Sequence, residues 1–345
     1  MTWFEHQYVE RSTHAVRTER LRGDRLVHAL YTRRLERAPW LYRAASSARL
    51  TAALAFVSYD SLLGAHVSGA TRFARACGVD LSECVESHEF YDTPRKVFER
   101  QILYWESRPL PEDESAVVSP ADSRVLVGSF GETSMLFVKE KFFDYAELLG
   151  ADRGHWLSAF AGGDFAVFRL TPEKYHYTHV PASGRVADVY ALEGRYHSCN
   201  PSALVSLVSA HSKNRRVVTV IDTNVPGGSR VGMIAMVEVV ALMIGRIDSR
   251  YSEERYDSPQ AVRAGMFLRR GQPKGLFRPG SSTVILLFEA GRVRFAEDLL
   301  ANQRRTDVRS RFSLGLKQAL VETDVPVRSF IAAPACTADE KEIFL

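Results

Sequence analysis

The sequence predicts an α+β protein, a helical N-terminal region followed by a β-rich domain, and three observations carry that reading. Apolar residues recur at spacings of three and four in the first part of the chain, as in Leu26, Leu30 and Leu35, then Leu50, Leu54 and Val57. Beyond Pro120 the pattern becomes short apolar runs punctuated by Gly, Pro, Asn and Asp. Strands and helices do not alternate regularly there, which argues against a doubly wound parallel sheet.

The helical region is expected over residues 1–108. Pro109, Pro111 and Pro120 flank the acidic run Glu112–Glu114, the composition of a linker or exposed loop. The β-rich domain is expected over 109–300. Its candidate strands are Val125–Val127, Met135–Val138, Phe165–Phe168, Val217–Ile221, Gly232–Val240 and Val284–Phe288. Residues 301–345 are more polar and read as a C-terminal helix and tail.

Hydrophobic residues make up 46% of the 345 residues and charged residues 25%, enough apolar material for one large core or two smaller ones. The net charge of +4 gives no ground for a nucleic-acid partner. Residues 1–50 nevertheless carry ten Arg against five acidic side chains, an excess larger than that of the whole chain. Such a segment can rest on anionic headgroups, and it can equally be the solvated face of an Arg-rich helix. The cysteines Cys77, Cys84, Cys199 and Cys336 show no metal-ligand spacing, as expected of structural thiols in a reduced compartment. No apolar run followed by a cleavage site opens the chain. The most apolar stretch, Leu50–Val67, contains Asp60 and suits a buried or amphipathic helix better than a membrane span. The expected location is therefore cytoplasmic, peripheral on the membrane's cytoplasmic face.

Four segments carry chemistry. Pro279-Gly280-Ser281-Ser282-Thr283 places hydroxyls beside a flexible residue immediately before a buried-looking strand. Such a turn can hold a strained backbone in which a serine attacks the preceding carbonyl, although a Ser-rich turn is the simpler reading. Tyr175-His176-Tyr177-Thr178-His179-Val180-Pro181 carries two histidines that can converge on one site and move protons near neutral pH. No third ligand stands nearby, so no metal is expected. Ser119-Pro120-Ala121-Asp122 is a turn whose Asp matters if it meets a histidine. Val237-Glu238-Val239 buries a carboxylate that needs a partner.

Together and in this order these segments resemble the phosphatidylserine decarboxylase family. Its patterns are a Pro-Ala-Asp-Gly turn, Tyr-His-x-x-His-x-Pro, Val-Glu-Val-x-Ala ending near Gly-x-Ile, and a Gly-Ser-Thr cleavage motif. Tyr196–Pro201 and Asn214–Val218 also look like family segments. The resemblance spans about residues 115–300 and rests on the shared order rather than on any single motif.

The resemblance implies a self-cleaving proenzyme with a covalent pyruvoyl cofactor made from Ser282. The cut falls at Ser281–Ser282, with Gly280–Ser281 and the Ser281 hydroxyl as the alternative. Asp122 and His179 match the residues that activate the serine, and His176 is the candidate for proton transfer during decarboxylation. The pyruvoyl carbonyl would form a Schiff base with the substrate amine and withdraw electrons as the carboxylate leaves. The implied partners are a phospholipid substrate, the chain's own cleaved C-terminal fragment, a membrane surface and a second copy in a homodimer. A relative acting on a free amino acid or another small amino-carboxylate, and a non-cleaving binding protein, are the alternatives. Ser123 replaces the family's Gly after the Asp, Val240 replaces a small residue, and Ser281 stands where the glycine before the cut is usual.

Overall fold

The apolar runs assemble into sheets in the computed structural model, which describes residues 5–21, 24, 74–75, 78–131, 143–206, 209–241, 246–280 and 282–335. Sixteen strands lie among them: β1 (Gln7–Glu10), β2 (Val16–Thr18), β3 (Val117–Val118), β4 (Ser123–Ser129), β5 (Asp164–Leu170), β6 (Tyr177–His179), β7 (Gly184–Leu192), β8 (Arg216–Asp222), β9 (Met233–Val240), β10 (Ile247–Ser249), β11 (Phe267–Leu268), β12 (Pro273–Phe277), β13 (Ser282–Phe288), β14 (Val293–Phe295), β15 (Thr323–Val325) and β16 (Phe330–Pro334). The helices among the described residues are short, such as Pro94–Phe98, Tyr104–Ser107 and Glu297–Gln303. None of them is long and apolar enough to cross a membrane.

Ten strands form one sheet in the order β11-β7-β8-β9-β13-β5-β4-β15-β1-β2. Every pairing in it is antiparallel except β1 with β15. Two three-stranded sheets, β10-β12-β6 and β14-β16-β3, pack around it. The alternation of side chains along β13 explains its unbroken apolar run. Val284, Leu286 and Phe288 enter one core with Val125, Phe168 and Met236. Ile285 and Leu287 enter the other with Val167, Val237 and Phe312. Both faces of the sheet are covered, so every residue of β13 is buried.

Two expectations from periodicity are corrected. The opening of the chain is not helical: β1 and β2 form a hairpin joined to the large sheet through β15. Gln7 to Glu10 offers only Tyr8 and Val9 as strong strand formers, and Val9 is fully buried against Val308 and Val321. That contact lies some three hundred positions away in sequence, beyond any local pattern. The leucines that set the helical spacing, and the run Leu50–Val67, lie outside the described residues, as do Met135–Val138, Cys77 and Cys336. The stretch read as helix and tail instead supplies β15 and β16, so the C-terminal part of the chain is built into two sheets.

A buried charge cluster ties the chain's distant parts together. Arg169 on β5 donates to Glu19 and to Glu322, at 3.0 Å for Nη1 to Glu19 Oε1 and 2.8 Å for Nε to Glu322 Oε1. Arg124 on β4 also pairs with Glu19. His6 completes the group at 2.9 Å from Glu322. The Arg311 backbone N–H donates to His6 Nδ1, so Nε2 carries the proton and donates to Glu322. His6, Glu19 and Glu322 have the spacing of metal ligands. With two guanidiniums already on the carboxylates, the group is a satisfied ion-pair network.

Candidate active site

The candidate site forms where the small β10-β12-β6 sheet hands the chain to the large one. Strand β12 ends at Phe277, residues 278–281 connect, and β13 begins at Ser282. Ser282 is fully buried between Leu170 on β5 and Val240 on β9. Its Oγ has no hydrogen-bond partner, an exposed cost inside a core where hydroxyls are normally satisfied. Gly280 has φ +146°, a conformation that side chains rarely adopt. Ser281, the alternative nucleophile, lies outside the described residues.

The histidine segment runs beside the strand that delivers Ser282. Leu276 pairs with Tyr177, and the Phe277 N–H donates to the His176 carbonyl at 3.1 Å. His176 is fully buried and stacked on Phe98, with ring centroids 3.6 Å apart. Neither of its ring nitrogens makes a hydrogen bond of ordinary geometry. Burial, assisted by the Arg100 charge, lowers its pKa to about 3.

His179 is also fully buried, and its surroundings fix its tautomer. Nδ1 lies 2.8 Å from the Gly271 carbonyl, which can only accept, so Nδ1 carries the proton of the neutral ring. Nε2 then accepts from the Tyr175 hydroxyl at 3.0 Å, and Tyr175 lies 2.8 Å from the Tyr256 hydroxyl. Burial pushes the His179 pKa down to about 3 against the opposing Gly271 hydrogen bond. The ring packs edge-on against Tyr104 at 4.8 Å.

Asp122 reaches the site through backbone and field rather than by holding an imidazole. The His179 N–H donates to the Pro120 carbonyl at 2.8 Å, which sets the Asp122 turn against β6. Its carboxylate accepts from Arg108 Nε at 3.2 Å, from Arg108 Nη2 at 3.1 Å and from the Val327 N–H at 2.7 Å. Burial would raise its pKa, but the Arg108 charge and hydrogen bonds outweigh that and hold it below the usual carboxylate range. Among the described residues it makes no hydrogen bond to His179. The orienting contact that a protease-like triad would assign to Asp122 is made by the Gly271 carbonyl. The Asp122 charge still favours protonation of both His176 and His179.

Several contributors were invisible in the motifs. Glu238, expected to need a partner, receives a hydrogen bond from Lys274 Nζ at 2.6 Å and another from Thr178 Oγ1 at 2.6 Å. A Cβ on Gly275 would sit 2.8 Å from Glu238 Oε1, so the glycine gives this pair its room. Asn214, in a segment matched to the family, bonds the His197 N–H and both the His197 and Val240 carbonyls. It thereby pins the end of β9 that lies against Ser282. Thr283 donates to Cys199 Sγ at 3.2 Å, and burial pushes the Cys199 thiol up to about 11, so it is a structural group.

Comparison with known proteins decides the family. The profile of the phosphatidylserine decarboxylase family matches residues 96–313. The chain belongs to that family. It is 34% identical over 240 residues to a phosphatidylserine decarboxylase proenzyme of Bordetella petrii, covering 66% of this chain and 80% of that protein. It is 32% identical over 267 residues to the proenzyme of Nitrosococcus oceani, covering 73% of this chain and 82% of that one. A phosphatidylserine decarboxylase proenzyme 2 of Oryza sativa is 32% identical over 243 residues, which is 69% of this chain and 36% of the longer plant protein. The family match begins at residue 96 and so takes in the helices Pro94–Phe98 and Tyr104–Ser107, which supply Phe98 and Tyr104 to the two imidazoles.

Proposed function

We propose that this chain cuts itself before Ser282, turns that serine into a pyruvoyl group, and then converts phosphatidylserine to phosphatidylethanolamine and carbon dioxide. The observation that carries the reading is Ser282 itself. It is a fully buried hydroxyl without a partner, two positions after a glycine at φ +146°, at the first residue of a central strand. Such a serine has lost its water and gained nothing in exchange, which suits a precursor better than a structural residue.

The self-cleavage balances with the chain's own groups. Ser282 Oγ attacks the carbonyl carbon of residue 281, and the His179 Nε2 lone pair accepts the hydroxyl proton. The Tyr175 hydroxyl must first turn from Nε2 toward Tyr256, which lies within hydrogen-bond reach. The peptide C–N bond breaks, the Ser282 amine leaves protonated, and residue 281 is esterified to Oγ. Removal of the Ser282 Cα proton then breaks the Cβ–Oγ bond, frees residue 281 as a carboxylate and leaves dehydroalanine. Water hydrolyses that group, ammonia departs, and the pyruvoyl group caps residues 282–345. Once formed, it supplies an electron sink for carboxylate loss. His176, neutral and free at both nitrogens, is placed to return a proton to the substrate carbon. The basic residues 1–50 support a reaction at an anionic membrane surface.

Intact-mass spectrometry of the purified protein tests the cut. The expected result is two fragments, residues 1–281 and a blocked 282–345, with Ser282→Ala left whole. A single full-length mass for the natural sequence overturns the reading, and cleavage of Ser282→Ala moves the nucleophile to Ser281. Carbon dioxide release from phosphatidylserine vesicles, compared with free serine, tests the substrate.

A further inference from the structure

A cavity of about 260 Å³ opens beside the histidine segment. Its charged lining is Lys96, Arg100, Arg250 and Arg278 against Glu86 and Glu99. Tyr177 and Leu276, paired across β6 and β12, form part of its wall and place it next to His176. Phe98, on which His176 stacks, lies two residues before Arg100.

The charges in this cavity are not balanced. Arg278 is held by Glu99 and Asp248, and Lys96 by Asp92. Arg100 is only 6% exposed, yet its guanidinium donates to two backbone carbonyls, of Val97 and Glu173, and its Nε has no partner. No carboxylate among the described residues pairs with it. A buried cation without a counter-ion is costly unless a ligand supplies one. The Arg250 side chain, half-buried in the same lining, also makes no ion pair or hydrogen bond among the described residues. Glu99 is already occupied by Arg95 and Arg278, and Glu86 is exposed to water.

We infer that this cavity binds the phosphodiester of the substrate headgroup through Arg100 and Arg250. The inference rests on the function proposed above. A substrate of this class brings two anions, the carboxylate that is lost and the phosphodiester that stays. Guanidinium pairing with the carboxylate would stabilise the ground state and oppose its departure. Pairing with the phosphodiester holds the substrate equally before and after the reaction, so it favours binding without hindering chemistry. The cationic cavity therefore suits the group that does not react.

The test uses full-length, self-processed protein and the Arg250→Ala variant. Arg250 is outside the cleavage machinery, so processing should be unchanged on a denaturing gel. KM should rise about tenfold or more for phosphatidylserine vesicles and equally for soluble glycerophosphoserine, the loss of one charge-assisted contact, with kcat within about twofold. Arg250→Lys should recover part of the loss, and turnover of free serine should not respond. Inorganic phosphate should compete with glycerophosphoserine, and more weakly in the variant. Unchanged KM for glycerophosphoserine overturns the inference, and a change confined to vesicles would place Arg250 against the membrane instead. If the natural protein releases no carbon dioxide from either diester, the proposed function fails on its own. Calorimetric titration with inorganic phosphate then decides the cavity, which must bind phosphate in the natural protein and lose affinity in Arg250→Ala.

Discussion

The two buried imidazoles should make the uncut protein sensitive to mild acid in a way that one substitution can isolate. His176 and His179 both have their pKa lowered by burial, from an ordinary 6.5 to about 3. The sign follows from proton uptake. Between pH 3 and 6.5 the unfolded chain protonates these rings and the folded chain does not, so stability falls as pH drops through that window. Each ring contributes a slope of about 1.4 kcal/mol per pH unit well below 6.5, so going from pH 7.5 to 5 removes about 2 kcal/mol per histidine. The Ser282→Ala background keeps the protein a single chain, and His176→Phe removes one titrating ring while retaining an aromatic partner for Phe98. Urea unfolding at the two pH values is the assay. The His176→Phe chain should lose about 2 kcal/mol less than its parent over this interval. An equal loss in both would refute the claim that His176 is buried neutral. The same argument fixes the kinetics: with His179 unprotonated throughout, the self-cleavage rate should show no inflection near pH 6.5.

Two further outcomes follow from packing. After the cut, β13 still pairs along its whole length with β5 and β9, and Val284 to Phe288 remain buried. At about 1.5–3 kcal/mol for each of these side chains, residues 282–345 should stay with 1–281 through size-exclusion chromatography and separate only in denaturant. Lys274→Met should destabilise the protein by about 3–5 kcal/mol in urea titration, because Glu238 is left charged and buried. Adding Glu238→Gln should restore part of that, and strict additivity of the two losses would show that the pair is not coupled.

The parts of this protein legible in sequence are those whose chemistry is local. The runs around Val125, Phe165, Val217, Gly232 and Val284 became strands because apolar residues between turn-formers have few other uses. The Glu238 partner was foreseeable as a need but not as a residue, since Lys274 stands on β12 and reaches β9 only through the small sheet's fold-over. Arg108 had no local signal, because its role is created by the turn that brings Asp122 beneath it. Tyr256 falls in a polar stretch of the sequence and meets Tyr175 only through a long loop. The opening hairpin misled for the same reason. Its short strands are stabilised by β15 and by the Glu19–Arg169–Glu322 network, which no window of the first twenty residues contains.

That network bears on the order of events in processing. Glu322, Arg311, Val327 and Arg328 all belong to the part of the chain beyond Ser282. They hold Arg169, His6, Asp122 and the Tyr104 carbonyl respectively, with Arg311 acting through its backbone N–H. The Val327 N–H supplies one of the three hydrogen bonds that keep the Asp122 carboxylate ionised. The segment to be released from covalent connection thus helps build the electrostatic surroundings of the histidines that would cut it. A chain truncated before residue 327 would lack that contact, so the C-terminal part must be folded in place before the serine is activated. Cleavage is accordingly a late event, following assembly of β13, β15 and β16 rather than guiding it. The strained turn at Gly280 is held from both sides, by β12 and β13, until the bond between them is cut.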